Sequence, residues 1–225
     1  WWSIRIPFKK VSSLANDEVL DIKARLASVR EAIAAAAALS GRPADAITVI
    51  GVSKLFPAQT ALAAWQCGLM DLGENRVQEL LPKQDWLARA GASPNWHLIG
   101  TLQRNKVRPT VPLLTLIHSA DSERLLVALD EAWRASLGPV AADDPHRHRL
   151  PVLVEVNVSG EQAKHGFRPA EVEAGLARWA ALEHLEIRGL MCMAGLEGNL
   201  DDARREFAAL RELRNRLQDE APDSM

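Results

Sequence analysis

A lysine that directly follows a buried apolar segment is the residue of this sequence best suited to covalent chemistry. Residues 47–53 read Ile-Thr-Val-Ile-Gly-Val-Ser, which predicts a buried strand, and Lys54 comes next. An amine that is partly desolvated at the end of a strand can attack an aldehyde and form a Schiff base. The alternative is a solvated lysine at a strand end, and position alone leaves both open.

Other polar or adaptable side chains lie at or after the ends of further predicted strands. They are Asn75, His97, Asn157, Lys164 and Met191. The Asn75 amide could bind a ligand or simply cap a helix. His97 could contact a ligand or be a hydrogen-bonded structural residue. Their common location favours a shared site, although each residue is weak support alone.

The elements that must position these residues alternate along the chain. A helix is predicted over residues 17–38, where apolar residues recur at helical spacing. Six strands follow, at 47–53, 70–73, 96–100, 114–119, 152–158 and 185–193. Helices are predicted between and after them, at 57–67, 75–90, from about 103, at 121–136, 169–182 and 200–220. This alternation predicts βαβ units and a parallel α/β sheet.

The expected fold is a TIM-type (β/α)8 barrel, here incomplete, with about six βα units preceded by an N-terminal helix. In such barrels the carboxyl ends of the strands form the working face. Six strands would leave two open edges, so we expect that the last two strands are missing. An open doubly wound sheet is the alternative, since it tolerates six strands. Residues 1–14 are interpreted as an extension and residues 15–225 as one barrel domain.

Composition argues against several classes of function. The formal net charge is -2 without a basic cluster, so nucleic acid is a poor partner. No apolar run approaches the roughly 20 residues that cross a bilayer. Cys67 and Cys192 are too few for a disulfide framework, which favours the cytoplasm. His146 and His148 lack a third metal ligand, so the residues between 138 and 150 are interpreted as a solvated loop and no metal is expected.

Six stretches together resemble a known family. They occur in the family's order as Val52-Ser53-Lys54, Gly73-Glu74-Asn75-Arg76-Val77-Gln78-Glu79, Trp96-His97-Leu98-Ile99-Gly100-Thr101-Leu102-Gln103-Arg104-Asn105-Lys106, Val156-Asn157-Val158-Ser159, Lys164-His165-Gly166 and Arg188-Gly189-Leu190-Met191. On these residues the chain is similar to the pyridoxal phosphate homeostasis proteins, single-domain relatives of the alanine racemase barrel domain.

The resemblance implies a cytoplasmic protein that holds pyridoxal 5'-phosphate (PLP) as a Schiff base on Lys54 and helps to control its free level. No catalytic turnover is implied. Further cofactor contacts are expected from Asn75, His97, Asn157, Lys164 and Met191. Apo-enzymes that use PLP are the expected recipients, and we expect a monomer.

The chain departs from the family's pattern in three respects. Thr101 replaces a usual Pro, and Arg104 replaces a usual small residue. The family's Ser-Met-Gly-Met-Ser stretch near the cofactor phosphate and its later Arg-Ile-Gly segment do not occur in the sequence. We therefore expect weakened affinity, because the phosphate would lack backbone N–H donors.

Three other functions compete with a PLP carrier. An amino-acid racemase resembling alanine racemase would need a lysine and a tyrosine as proton donors, and the sequence contains no Tyr. An aldolase-like barrel would use Lys54 on a sugar phosphate. A structural module would have no small-molecule site at all.

Overall fold

The computed structural model describes residues 16–137, 149–161, 164–194 and 199–220, and the chain divides into two compact units between His97 and Leu98. The predicted N-terminal extension and the loop with His146 and His148 lie outside the described residues. In the part that is described, no helix is long and apolar enough to span a membrane.

In residues 16–98 the structure describes three strands and three α-helices, and the last of these strands ends one residue beyond the boundary of the first unit. In chain order they are α1 Asn16–Leu39, β1 Ile50–Val52, α2 Ala58–Gln66, β2 Asp71–Glu74, α3 Val77–Arg89 and β3 Asn95–Leu98. Strands β1 and β2 are parallel, with Val52 beside Gly73, and β3 follows β2 in the sheet. The carboxyl ends of β1 and β2 therefore lie side by side.

Helix α3 is amphipathic, and its buried side contains one charged residue. Val77, Leu80, Lys83 and Leu87 are its buried residues, at the three- and four-residue spacing of one helical face. Three of these side chains are apolar and belong to the core. Lys83 is only 6% exposed, so its ammonium group must find partners inside the protein.

The second unit contains the remaining described elements. They are α4 Val107–Thr110, β4 Leu114–Ala120, α5 Glu123–Ser136, β5 Leu150–Glu155, α6 Pro169–Ala180, β6 Leu185–Met191 and α7 Leu200–Glu220. The sheet order is β4-β5-β6 and both pairs are parallel. Val152 lies beside Ile117 on one side and Ile187 on the other, and its side chain is fully buried.

The helix predicted from about residue 103 is not continuous. The segment instead forms a 3-10 turn at Arg104–Lys106, the single α-turn of α4 and a second 3-10 turn at Val111–Leu113. Pro109 and Pro112 explain the difference, because proline lacks the N–H that a continuing helix requires.

The chain after β5 folds back onto the end of that strand. The Phe167 N–H donates to the Glu155 carbonyl at 2.8 Å, and the Asn157 N–H donates to the Phe167 carbonyl at 2.9 Å. Gly166 makes this close approach possible. Its φ is +104°, and a Cβ atom there would lie 2.8 Å from the Glu155 carbonyl oxygen. A side chain at residue 166 would thus meet both backbone strain and a clash.

Replacement of Gly166 by Ala should therefore lower the free energy of unfolding by about 3 kcal/mol. Gly160→Ala is the matched control, since Gly160 also has a positive φ, +71°, but a Cβ there would meet nothing within 4 Å. The control should cost about 1 kcal/mol. Urea unfolding of both variants measures the difference. Equal losses of unfolding free energy would contradict the close approach of Gly166 to the Glu155 carbonyl.

Candidate functional site

Lys54 lies immediately beyond the paired ends of β1 and β2. The Ser53 N–H donates to the Gly73 carbonyl at 2.9 Å and continues the pairing up to the residue before Lys54. The Lys54 side chain is half-buried. Within described residues 16–97, no hydrogen bond or ion pair engages its amine. Lys54, the lysine suggested by the sequence, therefore lies at a strand end and has an uncommitted amine, meaning one without a hydrogen-bond or ion-pair partner within residues 16–97.

A buried polar network lies under this strand end. The Glu74 carboxylate, at the end of β2, is fully buried and forms an ion pair with Lys83. Glu74 Oε1 also accepts a hydrogen bond from Ser53 Oγ at 2.7 Å. Burial raises the pKa of Glu74, and the neighbouring Lys83 and Ser53 offset part of that rise. Glu74 Oε2 has no partner among the described residues.

Helix α3 holds the backbone on both sides of Lys54. Lys83 Nζ donates to the Ser53 carbonyl oxygen at 2.8 Å, and the Leu55 N–H donates to Glu79 Oε2 at 2.9 Å. Leu55 adopts a φ of +67°, which residues other than Gly rarely adopt. The turn that carries Lys54 is thus fixed by two side chains of a neighbouring helix.

Asn75 lies directly after β2, beside the turn that carries Lys54. The N-cap residue of α3 is Arg76, so Asn75 does not cap this helix. Within residues 16–97 its carboxamide makes no hydrogen bond, which leaves a donor and an acceptor for a ligand. Its part in a cofactor site remains a prediction.

His97 is placed differently from Lys54 and Asn75. Its ring is 3% exposed, and Nε2 lies 3.0 Å from Oδ1 of Asp71, the first residue of β2. Asn95 Nδ2 donates to the same oxygen at 3.1 Å. Burial lowers the pKa of His97, and Asp71 offsets part of that decrease. The ring therefore connects β3 to the start of β2, and its predicted cofactor contact is untested.

In the second unit, Asn157 organises the loop that follows β5. Its Nδ2 donates to the carbonyl oxygens of Glu161 and Lys164, at 2.8 and 3.3 Å, and its Oδ1 accepts from the Gly160 N–H at 2.9 Å. Ser159 Oγ donates to the same Oδ1 at 3.4 Å. The amide thus shapes this loop, and a cofactor contact from it is still a prediction.

Lys164 belongs to the same loop and is surrounded by acceptors. Its Nζ lies 2.8 Å from Glu161 Oε1 and 3.7 Å from Glu206 Oε1, and it donates to Ser159 Oγ at 2.9 Å. The hydrogen bond with Glu161 is the main cause that raises the pKa of Lys164. Lys164 is therefore held as an ammonium ion, which suits an anion better than an aldehyde.

Met191 is the last residue of β6 and is paired with Glu155, two residues before Asn157. Its carbonyl oxygen accepts from the Val156 N–H at 2.8 Å, and its side chain is half-buried. Within each unit the predicted residues therefore gather at strand ends: Lys54 with Asn75, and Asn157, Lys164 with Met191. His97 instead points to the beginning of β2.

The sequence interpretation gave no role in the site to four residues around Lys54. They are Ser53, Glu74, Glu79 and Lys83. One signal could have found Lys83, because it occupies a position in α3 where the helical period requires an apolar residue.

Comparison with known proteins defines the class. Residues 25–225 match the family described as alanine racemase, N-terminal domain. A solved structure of an unknown protein from Bifidobacterium adolescentis is similar, with a TM-score of 0.80 and 28% identity over 94% of this chain and 84% of that one. These likenesses confirm the predicted α/β barrel class, of which six strands are described here.

Two relatives with named functions identify the family within this class. The pyridoxal phosphate homeostasis protein of Aquifex aeolicus is 36% identical over 196 residues, which cover 87% of this chain and 81% of the relative. PipY of Synechococcus elongatus, solved with PLP bound, is 32% identical with a TM-score of 0.72, over 89% of this chain and 84% of that one. The chain belongs to the pyridoxal phosphate homeostasis protein family.

Loss of the Lys83 ammonium should destabilise the protein strongly. In Lys83→Met the Glu74 carboxylate would be buried without its cation, and we expect a loss of about 3 kcal/mol or more in the free energy of unfolding. The double variant Glu74→Gln/Lys83→Met should recover most of that loss. Arg89→Met, which breaks an exposed ion pair with Asp85, is the control and should change stability by about 0.5 kcal/mol or less.

Burial of His97 should make stability depend on pH. Its pKa is lower in the folded than in the unfolded protein, so the unfolded state takes up the proton first as the pH falls. Stability should therefore fall as the pH drops through the unfolded pKa, by about 1.4 kcal/mol per pH unit until the folded pKa is reached. Unfolding of wild type and His97→Gln between pH 8 and pH 5 tests this, and parallel curves would contradict it.

Proposed function

We propose that this protein binds PLP through a Schiff base on Lys54 and helps to control the level of the free cofactor. The observation that carries the proposal is the uncommitted amine of Lys54, half-buried at the paired ends of β1 and β2. Membership of the pyridoxal phosphate homeostasis protein family supports it independently.

The surroundings of two other lysines argue against them as the reacting residue. Schiff base formation joins a neutral amine to an aldehyde carbon and releases water, so an ammonium fixed in an ion pair reacts poorly. Lys83 is paired with Glu74, and Lys164 with Glu161. Lys54 has no such partner within residues 16–97, so no ion pair there needs to break before the reaction.

Residues near Lys54 fit an aldehyde ligand that also carries polar groups. Asn75 offers an amide donor and acceptor directly beyond β2, next to the strand end that leads to Lys54. PLP supplies an aldehyde that condenses with a primary amine. Contacts from His97, Asn157, Lys164 and Met191 are part of the proposal, as are a cytoplasmic location, a monomeric state and transfer to apo-enzymes.

Carriage of the cofactor is favoured over racemisation. A racemase resembling alanine racemase would require a tyrosine as one of two proton donors, and the sequence contains none. Asn75 and the network of Ser53, Glu74 and Lys83 offer no exposed acid in its place, because Glu74 is fully buried.

Titration with PLP, borohydride reduction and peptide mapping test the proposal. We expect an absorbance band of the Schiff base and a reduced adduct confined to the peptide that contains Lys54. Lys54→Ala should abolish both signals. Lys23→Ala, which removes an exposed lysine of α1, is the matched control and should leave them unchanged.

Adducts scattered over several lysines of a folded sample would contradict a specific site. A sugar phosphate, trapped on Lys54 in preference to PLP, would favour the aldolase-like alternative. Absence of any adduct in a folded sample would favour a structural module.

A further inference from the structure

The backbone around Lys54 is held at two points by one helix. The carbonyl of Ser53, which belongs to the peptide group before Lys54, accepts from Lys83 Nζ at 2.8 Å. The N–H of Leu55, which belongs to the peptide group after Lys54, donates to Glu79 Oε2 at 2.9 Å. Glu79 and Lys83 are four residues apart in α3 and so lie on the same side of the helix.

The second of these contacts stabilises a conformation that the turn would not adopt by itself. Leu55 has a φ of +67°, which costs an L-residue roughly 1–2 kcal/mol. Its side chain is 71% exposed, so burial of that side chain does not compensate. The bond to Glu79 is the contact that orients the Leu55 peptide group, and this orientation sets the direction in which the chain leaves Lys54.

The first contact is equally hard to explain by packing alone. Lys83 stands at a buried position of α3 where an apolar residue would fill the space without desolvating a charge. The protein instead buries an ammonium, pairs it with Glu74 and points it at the Ser53 carbonyl. The same carbonyl also accepts from the Phe56 N–H at 3.1 Å, which closes the turn around Lys54.

We propose that Glu79 and Lys83 are positioning residues for Lys54, which fix its backbone on both sides so that its amine is directed to the aldehyde. This inference rests on the proposed function of Lys54. Neither side chain bonds to the Lys54 amine. Their effect passes through the peptide groups of Ser53 and Leu55, by restricting the conformations from which the amine reacts.

Substitution of Glu79 gives the sharpest test. The rate of Schiff base formation with PLP at Lys54 should fall about tenfold in Glu79→Ala, because the Leu55 peptide group loses its acceptor. Glu79→Gln keeps an oxygen acceptor at the same place and should react within about twofold of wild type. A positioning role predicts this difference, whereas an effect of the carboxylate's negative charge on the amine would change the rate in the same direction in both variants, since both remove the charge.

A second substitution tests whether Glu79 acts through Leu55. Asn tolerates a left-handed backbone better than Leu, so Leu55→Asn in the Glu79→Ala background should recover at least half of the lost rate.

The matched variant for the other contact is Glu74→Gln/Lys83→Met, which removes the bond to the Ser53 carbonyl without leaving a buried charge unpaired. It should also slow the reaction about tenfold.

The outcomes separate this inference from the proposed function. If wild type forms the adduct on Lys54 and Glu79→Ala reacts equally fast, the positioning role is wrong and the proposed function stands. Equal slowing by Glu79→Gln would also overturn it. If wild type forms no adduct on Lys54, the proposed function fails and this inference falls with it.

Amide hydrogen exchange tests the contact between Glu79 and Leu55 in the wild-type protein, so this test does not require any variant to fold. In the wild-type protein the Leu55 N–H should be protected from exchange by its bond to Glu79. Exchange at the rate of an unprotected amide would overturn the role of Glu79.

Discussion

Burial of the Glu74 carboxylate and the Lys83 ammonium is the constraint on which the rest of this region depends. Transfer of two charges out of water costs several kcal/mol for each ion, and their attraction offsets this only when further hydrogen bonds complete the arrangement. Ser53 Oγ and the Ser53 carbonyl provide two such bonds, while Glu74 Oε2 has none among the described residues. The ends of β1 and β2 must therefore stay against α3, and Lys54 is the first residue beyond this fixed point.

Ion-pair partners distinguish Lys54 from Lys164, the two lysines that the sequence suggested as cofactor-binding residues. Lys54 has no ion-pair partner within its unit, whereas Lys164 is surrounded by Glu161, Glu206 and Ser159. A lysine paired with carboxylates stays charged and can attract an anion, whereas no carboxylate within residues 16–97 engages the Lys54 amine. The two side chains are of the same type, and the presence or absence of neighbouring carboxylates distinguishes their chemical environments.

Periodicity was sufficient to predict the strands and most helices, because burial in a parallel sheet and on one helix face leaves a clear pattern. The helix after β3 was predicted too long, since Pro109 and Pro112 interrupt it. The network around Lys54 was not predicted, because its bonds join residues up to 30 positions apart. Position likewise marked Asn157 as a ligand contact, but could not show that Gly160, Glu161 and Lys164 engage its amide.

A crystal structure of the protein grown with PLP would test the central claim most directly. We expect continuous electron density from Lys54 Nζ to the aldehyde carbon of the cofactor, with the Ser53 carbonyl still bonded to Lys83 and the Leu55 N–H to Glu79. Cofactor density attached to another lysine, or a Lys54 side chain left unmodified beside bound PLP, would contradict it.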